Sequence, residues 1–290
     1  MNPKDRRSPV RKFLTRVVEL MSHLPGADRI AVRQHVVESP RIPAGFDGCT
    51  IVQISDLHGR WFGDEQEQLL ALVRKQKPDL IMVAGDWIDV DYEDSDERCC
   101  QVVVKGLLEI APLYGIIGNH EARAHHKTYM LKELKAMGVR MLLDENVKLQ
   151  RKGDRISLIG FKTPYDAPLK EDMQEQERLY QQYLGALKGL EAHKEYRIAM
   201  AHRPELLELY EKLDLDLVLS GHAHGGLMKL PGGRRLLAPG QGWLPKYTHG
   251  MYQKGNTRMI VSCGLGGPRI GIAPEIQRIV LKHKEKEAKL

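Results

Sequence analysis

Five short segments of this sequence share one construction, in which an apolar run of strand length ends at a glycine or polar break that carries a metal-binding type of side chain. They are ISDLHG (54–59), VAGDWID (83–89), IIGNHE (116–121), MAHRPE (200–205) and SGHAHGG (220–226). Strands of α/β proteins deliver side chains in this way to one edge of a sheet, where binding sites lie. The pattern therefore predicts one α/β site built from distant parts of the chain.

Beyond Thr50 the apolar periodicity alternates between that of strands and that of helices. The predicted strands cover 50–55, 79–84, 113–117, 155–161, 197–201, 216–220, 257–263 and 276–281. The predicted helices cover 65–76, 97–110, 127–137, 173–190 and 204–212. The early strand–helix alternation favours parallel strands, and the later strands, with fewer helices between them, favour an antiparallel or mixed sheet. We expect one α/β domain of two packed sheets flanked by helices.

The breaks of the five segments carry seven candidate metal ligands. They are Asp56, His58, Asp86, Asn119, His202, His222 and His224. A mixture of carboxylate, amide and imidazole groups suits a first-row transition metal, and seven ligands exceed what one ion takes. Two divalent ions with Asp86 as a bridging carboxylate fit this count, at the separation of roughly 3.5–4 Å that two-metal chemistry needs.

The segments differ in how strongly each one indicates a site. Asp56 and His58 lie two residues apart and point to the same side of an extended chain, but an aspartate here could equally cap a helix. A lone histidine such as His202 is more often a half-buried structural residue than a ligand. His222 and His224 flank a small residue between glycines, which permit close backbone approach. This last pair is the strongest single indication.

Taken together and in this order, the motifs resemble those of the calcineurin-like metallophosphoesterase superfamily, whose pattern is D-x-H, G-D, G-N-H-[DE], a single H and then G-H-x-H. The resemblance covers residues 48–282. It implies a four-layer α/β fold in which two mixed β-sheets pack as a sandwich between α-helices, with a dinuclear site at the strand ends. It also divides the ligands into two sets bridged by Asp86: Asp56, His58 and His224 for the first metal, and Asn119, His202 and His222 for the second.

The motifs and the resemblance predict a metal-dependent phosphoric ester hydrolase with two divalent ions, for which manganese, iron and zinc all fit. A bridging hydroxide would attack phosphorus in line, and His120 would donate a proton to the leaving oxygen, with Glu121 orienting it. Four arginines close to the motifs are candidate phosphate clamps, with a surface ion pair as the alternative for each: Arg60, Arg123, Arg203 and Arg269.

Some features depart from the small, often membrane-associated bacterial branch that the segment at 260–266 resembles. The chain reads GNHE where most of that branch reads GNHD, it has no arginine soon after Asp86, and no N-terminal membrane anchor of the kind common in that branch is expected. Asp89 and the acidic residues at 91, 93, 94 and 96 are interpreted as a solvated loop rather than as ligands. His125 and His126 are interpreted as an exposed helix start.

Substrate specificity is predicted to lie in residues 225–252, a glycine- and proline-rich stretch that mixes apolar and basic side chains. That mixture suits a phospholipid or a nucleotide-lipid, although a packed hairpin lid is the alternative. We favour a phosphodiester or pyrophosphate substrate. A phosphomonoesterase of the same superfamily and a non-catalytic, metal-stabilised membrane-docking module remain open. Nucleic acid is disfavoured, because aromatic residues make up 6% of the chain and do not alternate with basic ones.

The predicted domain covers residues 48–290, preceded by a lead-in segment at 1–47. Residues 11–24 have the spacing of a basic amphipathic helix, which either packs on its own domain or contacts an anionic membrane surface. Arg6 and Arg7 precede no continuous apolar core, so no export signal is expected, and no stretch has the length of a transmembrane span. Four cysteines without framework spacing favour a reducing compartment, so we expect a cytoplasmic protein, peripheral at the inner face of the membrane if residues 11–24 bind there. The net charge of +6 gives a mild bias towards anionic partners. The oligomeric state is left open.

Overall fold

The structure, a computed structural model, describes residues 29–89, 94–124, 127–164, 172–190 and 195–285. The strands are β1 (Ala31–Ser39), β2 (Thr50–Ile54), β3 (Leu80–Ala84), β4 (Leu113–Ile116), β5 (Arg140–Met141), β6 (Glu145–Arg151), β7 (Asp154–Gly160), β8 (Arg197–Met200), β9 (Leu217–Ser220), β10 (Leu237–Ala238), β11 (Gly242–Trp243), β12 (Gly250–Lys254), β13 (Thr257–Val261) and β14 (Glu275–His283). The helices are α1 (Glu67–Lys75), α2 (Asp94–Leu108), α3 (Asn119–Arg123), α4 (Lys127–Met137), α5 (Met173–Ala186) and α6 (Leu207–Lys212).

Two mixed six-stranded sheets form the centre of the described part of the molecule. The first has the order β1-β14-β2-β3-β4-β5, and all neighbours are parallel except β14 and β2. The second has the order β12-β13-β9-β8-β7-β6, with parallel strands in the middle and an antiparallel pair at each edge. The predicted mixed α/β fold is therefore confirmed, and β10 and β11 add a separate small ribbon.

Three buried apolar clusters separate four layers of structure. Ile51 of β2 faces the second sheet and packs in one cluster with Leu219 of β9, whereas its neighbour Val52 faces the cluster formed with α1 and α2. This alternation follows from the two-residue period of a strand. A third cluster joins the outer face of the second sheet to Tyr183 of α5 and Tyr210 of α6. The layers therefore run helix, sheet, sheet, helix.

The N-terminal edge of the first sheet lies further upstream than the predicted domain start at residue 48. All nine residues of β1, inside the predicted lead-in segment, pair in parallel with β14, from Ala31 with Glu275 to Ser39 with His283. Only Val37 of this strand is fully buried, so its apolar signal is weak. The predicted helix at 11–24, the acidic residues 91 and 93 and the histidines at 125 and 126 lie outside the described residues. No helix among the described residues is both long and apolar enough to span a membrane.

Candidate metal centre

The parallel strands of both sheets end on the same side of the molecule, and every predicted ligand follows one of these ends. Asp56 and His58 follow β2, Asp86 follows β3, Asn119 follows β4, His202 follows β8, and His222 and His224 follow β9. The side chain of Gln53 on β2 donates a hydrogen bond from Nε2 to the carbonyl of Ser220 on β9, at 2.8 Å. This bond fixes the end of one sheet against the end of the other, and so brings residues from distant parts of the chain together.

Asp56, His58 and His224 form the first ligand group. Their potential ligand atoms all lie within 4.8 Å of one another. His224 Nε2 is 3.8 Å from Asp56 Oδ1, and the His58 and His224 rings are 5.2 Å apart between centroids. All three side chains are nearly inaccessible to solvent, with exposures of 0–6%. The group therefore offers one carboxylate and two imidazoles to a buried ion.

Asp86, His202 and His222 form the second ligand group, again with their potential ligand atoms within 4.8 Å of one another. His202 Nε2 lies 3.1 Å from Asp86 Oδ2 and 3.0 Å from Asn119 Oδ1. His202 Nδ1 donates to the carbonyl of Ala84 at 2.7 Å, which orients the ring so that Nε2 points into the site. Asn119, which also follows a strand, thus joins this group.

The carboxylate of Asp86 links the two groups. Its Oδ2 atom is 3.1 Å from His202 Nε2 in the second group and 3.8 Å from His58 Nε2 in the first. The backbone N–H of His222 also donates to Asp56 Oδ1, at 3.0 Å. All seven predicted ligands therefore lie in one continuous cluster, with Asp86 at its centre.

Several of these residues adopt a backbone conformation that side chains rarely accept. Five of the seven have positive φ: Asp56 (51°), His58 (48°), Asp86 (53°), His222 (67°) and His224 (46°). Left-handed conformations of non-glycine residues cost of order 1–3 kcal/mol each and persist only where the surrounding structure holds them. Such strain concentrates at functional sites. Here it turns the side chains at the strand ends toward one another.

Two glycines make room for the central carboxylates. A side-chain carbon at Gly118 would collide with the Asp86 carboxylate, and one at Gly221 would collide with the Asp56 carboxylate. The predicted role of glycine in allowing close backbone approach therefore applies to Gly221, next to the paired histidines, and to Gly118 in the GNHE turn.

The donor set fits a pair of transition-metal ions. Both ring nitrogens of His58 are buried and have no hydrogen-bond partner among the described residues; the carboxylate oxygens of Asp86 and Asp89 lie 3.8 Å and 4.0 Å away. Burial lowers the pKa of His58, and it lowers the pKa of His224 to about 4. Both rings are therefore neutral at physiological pH, the form that binds metals. A cation would satisfy atoms that the protein leaves unpaired.

Glu121 holds the turns that carry Asp86 and Asn119, rather than orienting His120 as the sequence suggested. Its fully buried carboxylate accepts hydrogen bonds from the backbone N–H groups of Asp86 (3.0 Å), Ile88 (3.1 Å) and Gly118 (2.7 Å). Burial and the charge of Asp86 raise the pKa of Glu121 to about 7. The glutamate of the GNHE motif is therefore a positioning residue for the central carboxylate.

His120 is paired with a residue that the sequence analysis interpreted as part of a solvated loop. Its Nδ1 atom is 3.0 Å from Asp89 Oδ1, and its ring meets the His58 ring edge to face at 4.5 Å. Burial lowers the pKa of His120, but the hydrogen bond to Asp89 and the charge of Asp86 outweigh it and raise the pKa to about 8. The side chain of Asp89 is 52% exposed, so its carboxylate resembles an ordinary surface acid in the sequence. Its position three residues after Asp86, on the same turn, was the available signal.

Arg203 lies beside the second ligand group. Its side chain is buried, and Nη1 lies 3.1 Å from Glu205 Oε1 and 3.3 Å from His222 Nε2. Among the four predicted phosphate clamps, it is placed most directly against a ligand side chain.

The other three candidate clamps differ from Arg203. Arg269 is also buried, but its guanidinium donates to the carbonyl oxygens of Gly264 (2.8 Å) and Gly266, and so ties together a loop beside the first ligand group. Arg60 is half-buried with its guanidinium carbon 5.3 Å from the centre of the Phe62 ring, and Arg123 is half-buried at the end of α3.

Comparison with known proteins gives a family for this arrangement. The sequence model of the calcineurin-like phosphoesterase family matches residues 49–226. The uncharacterized metallophosphoesterase YkuE of Bacillus subtilis is 29% identical over 262 residues, which cover 87% of this chain and 86% of that protein. The phosphodiesterase YaeI of Escherichia coli is 25% identical over 238 residues, covering 80% of this chain and 81% of that protein. Because the family model matches more than half of the chain, the protein belongs to the calcineurin-like phosphoesterase family.

Proposed function

From this family membership and the two joined ligand groups, we propose that the protein hydrolyses phosphodiesters with a pair of divalent cations. The first cation would be held by the first ligand group, and the second by Asn119, His202 and His222, with Asp86 between them. The observation that carries this proposal is the position of the Asp86 carboxylate, which lies close to a histidine of each group. A carboxylate in that position can serve two ions at once.

Divalent cations bound there would supply an activated water and would neutralise charge on the phosphoryl oxygens. The protein's own contribution is to bury the ligands and leave one acid accessible. The side chains of both ligand groups are 0–6% exposed, whereas that of His120 is 25% exposed. The open side of the cluster is therefore the side on which His120 lies, and a substrate's leaving group would meet it there.

His120 is suited to donate a proton to the leaving oxygen. With its pKa raised to about 8, it is protonated at neutral pH, and the hydrogen bond between Nδ1 and Asp89 holds the orientation of the ring. Proton donation of this kind contributes roughly 10²–10⁴-fold to rates. Asp89 would act through His120, as the carboxylate that holds its proton and its orientation.

Arg203 is the candidate for binding a non-bridging phosphate oxygen. A buried guanidinium that is fixed by Glu205 loses little freedom when it binds an anion, because its planar fork is already oriented. The nearby second ligand group would place that oxygen between the arginine and a cation.

Two observations support a diester over a monoester. The relative YaeI is described as a phosphodiesterase. The stretch after the last ligand, residues 225–252, supplies apolar and basic side chains for a second substituent on phosphorus, such as a lipid.

The primary test is turnover by purified protein that is first stripped with a chelator and then given manganese, iron or zinc. We expect hydrolysis of bis(p-nitrophenyl) phosphate to depend on the added metal and to exceed that of p-nitrophenyl phosphate. A preference for the monoester would identify a phosphatase instead. Metal binding without turnover of either ester would identify a metal-stabilised binding module.

His120→Ala tests the proton donor. The variant should keep the metal content of the wild type but lose about 10²–10³-fold in turnover of diesters with alkyl leaving groups, and much less with p-nitrophenol as the leaving group. His35→Ala, which removes a half-buried histidine on β1 outside the cluster, is the matched control. Equal losses for good and poor leaving groups would argue against a proton-donating role.

A further inference from the structure

The stretch that follows the last ligand is unusual in charge. The chain has 38 acidic residues, yet none occurs from Gly225 to Lys254. The same stretch carries five cationic side chains: Lys229, Arg234, Arg235, Lys246 and Lys254. Three of these, Lys229, Arg234 and Lys246, are exposed. Such a stretch attracts anions, because no acid within it offsets its charge, although Glu208 of α6 pairs with Lys254 at 3.2 Å.

Two large apolar side chains are exposed next to each other in this stretch. Strands β10 and β11 pair as an antiparallel ribbon, with Leu237 opposite Trp243. Trp243 is 72% exposed and the adjacent Leu244 is 64% exposed. Single exposed apolar residues are common on proteins, but an adjacent tryptophan and leucine at the end of a basic ribbon is a feature of interaction surfaces.

The backbone at Leu244 is strained as well. Its φ of 52° lies in the left-handed region, which a branched apolar residue rarely adopts. Its backbone N–H donates to the Leu236 carbonyl at 2.9 Å, which holds this conformation, but burial does not explain why a leucine occupies the position. A strained backbone that carries an exposed apolar side chain is consistent with a use for that side chain.

The turn of the ribbon lies against the candidate metal centre. A side-chain carbon at Gly240 would collide with the Glu205 carboxylate and would come within 3.3 Å of His222 Nε2. The exposed residues are therefore carried by an element whose other end touches the second ligand group.

We propose that the β10–β11 ribbon binds the surface of an anionic lipid bilayer. Trp243 and Leu244 enter the interfacial region, where tryptophan is favoured because its ring has both an apolar body and a polar N–H. Lys229, Arg234 and Lys246 bind the anionic headgroups, to which exposed basic side chains are attracted over about a Debye length. Charge complementarity selects this occupant, since a neutral bilayer would leave the basic side chains without partners.

The test is sedimentation of the full chain with large unilamellar vesicles, with a chelator present so that no lipid is hydrolysed during the measurement. The protein should sediment with vesicles that contain equal amounts of phosphatidylcholine and phosphatidylglycerol. It should not sediment with vesicles of phosphatidylcholine alone. The double variant Trp243→Ser/Leu244→Ser should lower the partition coefficient by about tenfold or more, because it removes the apolar contribution to binding. The double variant Lys229→Glu/Lys246→Glu should also lower the partition coefficient, and the decrease should be larger at low salt than at high salt.

Tryptophan fluorescence reports the contact directly. The chain has three tryptophans, and of these Trp87 is 1% exposed while Trp243 is 72% exposed. Anionic vesicles should therefore shift the emission of the wild type to shorter wavelength, and Trp243→Phe should abolish the shift while it preserves sedimentation.

Controls separate this surface from the other candidates. Met173→Ser/Leu184→Ser removes a matched exposed apolar pair on α5 (71% and 42% exposed) and should leave vesicle binding unchanged. Phe13→Ser/Leu14→Ser tests the basic segment at residues 11–24. Vesicle binding that is abolished by this second pair and unaffected by the Trp243 and Leu244 changes would overturn the proposal. Failure of the wild type to sediment with anionic vesicles would also overturn the proposal. This includes the case in which the ribbon instead mediates a dimer, which analytical ultracentrifugation would detect.

Discussion

The first and second ligand groups lie side by side and contain the same kinds of side chain, but their polar atoms are paired differently. In the second group, His202 donates to the Ala84 carbonyl and lies within 3.1 Å of both Asn119 and Asp86. In the first group, the two buried ring nitrogens of His58 have no hydrogen-bond partner among the described residues. The ring of His202 is thus held by hydrogen bonds from the protein itself, whereas the ring of His58 would gain a partner from a bound cation.

The two ligand groups also differ in the pKa values of their histidines. Burial lowers the pKa of His202, but the charge of Asp86 and the contact with it outweigh burial and raise the pKa to about 9. Burial lowers the pKa of His224, in the first group, to about 4. A cation that enters the first group meets neutral imidazoles, whereas one that enters the second must displace a proton from His202. Two similar sets of ligands can therefore differ in metal affinity and in its pH dependence.

Asp86→Ala should have the largest effect, because it removes the one carboxylate that both groups share. We expect both metal ions to be lost and diester turnover to fall by at least about 10³-fold. Metal content by mass spectrometry and hydrolysis of bis(p-nitrophenyl) phosphate measure the two effects. Asp64→Ala, at an exposed position, should preserve both. A variant that keeps two ions would show that the groups do not depend on a common ligand.

Replacing one histidine of each group by leucine in metal-free protein should give stability changes of opposite sign. His58→Leu removes two unpaired buried nitrogens and should raise the free energy of unfolding by about 1–2 kcal/mol. His202→Leu leaves the Ala84 carbonyl, Asn119 and Asp86 without this partner and should lower it by about 2–5 kcal/mol. Urea unfolding after chelation gives both values. Destabilisation of similar size in both variants would remove the distinction between the groups.

Glu121→Gln should weaken metal binding without touching a ligand. The new amide has only one oxygen to accept from the backbone N–H groups of Asp86, Ile88 and Gly118. Its N–H₂ group faces at least one of these donors, and the Asp86 turn therefore shifts. We expect metal affinity to fall by about 10–100-fold, as is usual for residues that orient ligands. Titration with manganese measures this change. Glu109→Gln, on the surface, serves as the control and should bind as the wild type does.

The effect that develops most gradually concerns pH. Since the pKa of His202 is raised from 6.5 to about 9, its contribution to the stability of metal-free protein is complete below about pH 6.5 and is lost as the pH rises through about 9. The loss should be at most about 3 kcal/mol. Unfolding curves of the chelated wild type, compared with those of His202→Leu over this pH range, isolate the contribution. If the free energies of unfolding of the two proteins change with pH in parallel, the proton on His202 does not stabilise the fold.

Much of the fold follows from local patterns. The central strands β2, β3, β4, β8 and β9 were predicted within one or two residues, because buried strands read as continuous apolar runs that end at glycine or polar breaks. The four edge strands were missed: β1, β5, β6 and β12. Each is very short or largely exposed, so none has a strong apolar period, and pairing with a neighbouring strand decides its conformation.

The candidate site shows the same division. The positions of the seven ligands relative to their strands were predicted, and the structure brings all seven together. Asp89 was misinterpreted, because an exposed aspartate in an acidic run has no local mark that separates it from a solvated loop. The partner of Glu121 was also misassigned, since its three backbone donors come from two turns that only the fold places side by side.

The sequence by itself determined which side chains stand at the ends of which strands, because the period of a strand and the glycine that ends it are encoded locally. The tertiary structure decided what those side chains meet. The meeting of the two ligand groups, the left-handed backbone at Asp56 and Asp86, and the buried nitrogens of His58 all depend on the packing of one sheet against the other. Burial and distance set these properties, and neither is a property of a single segment of chain.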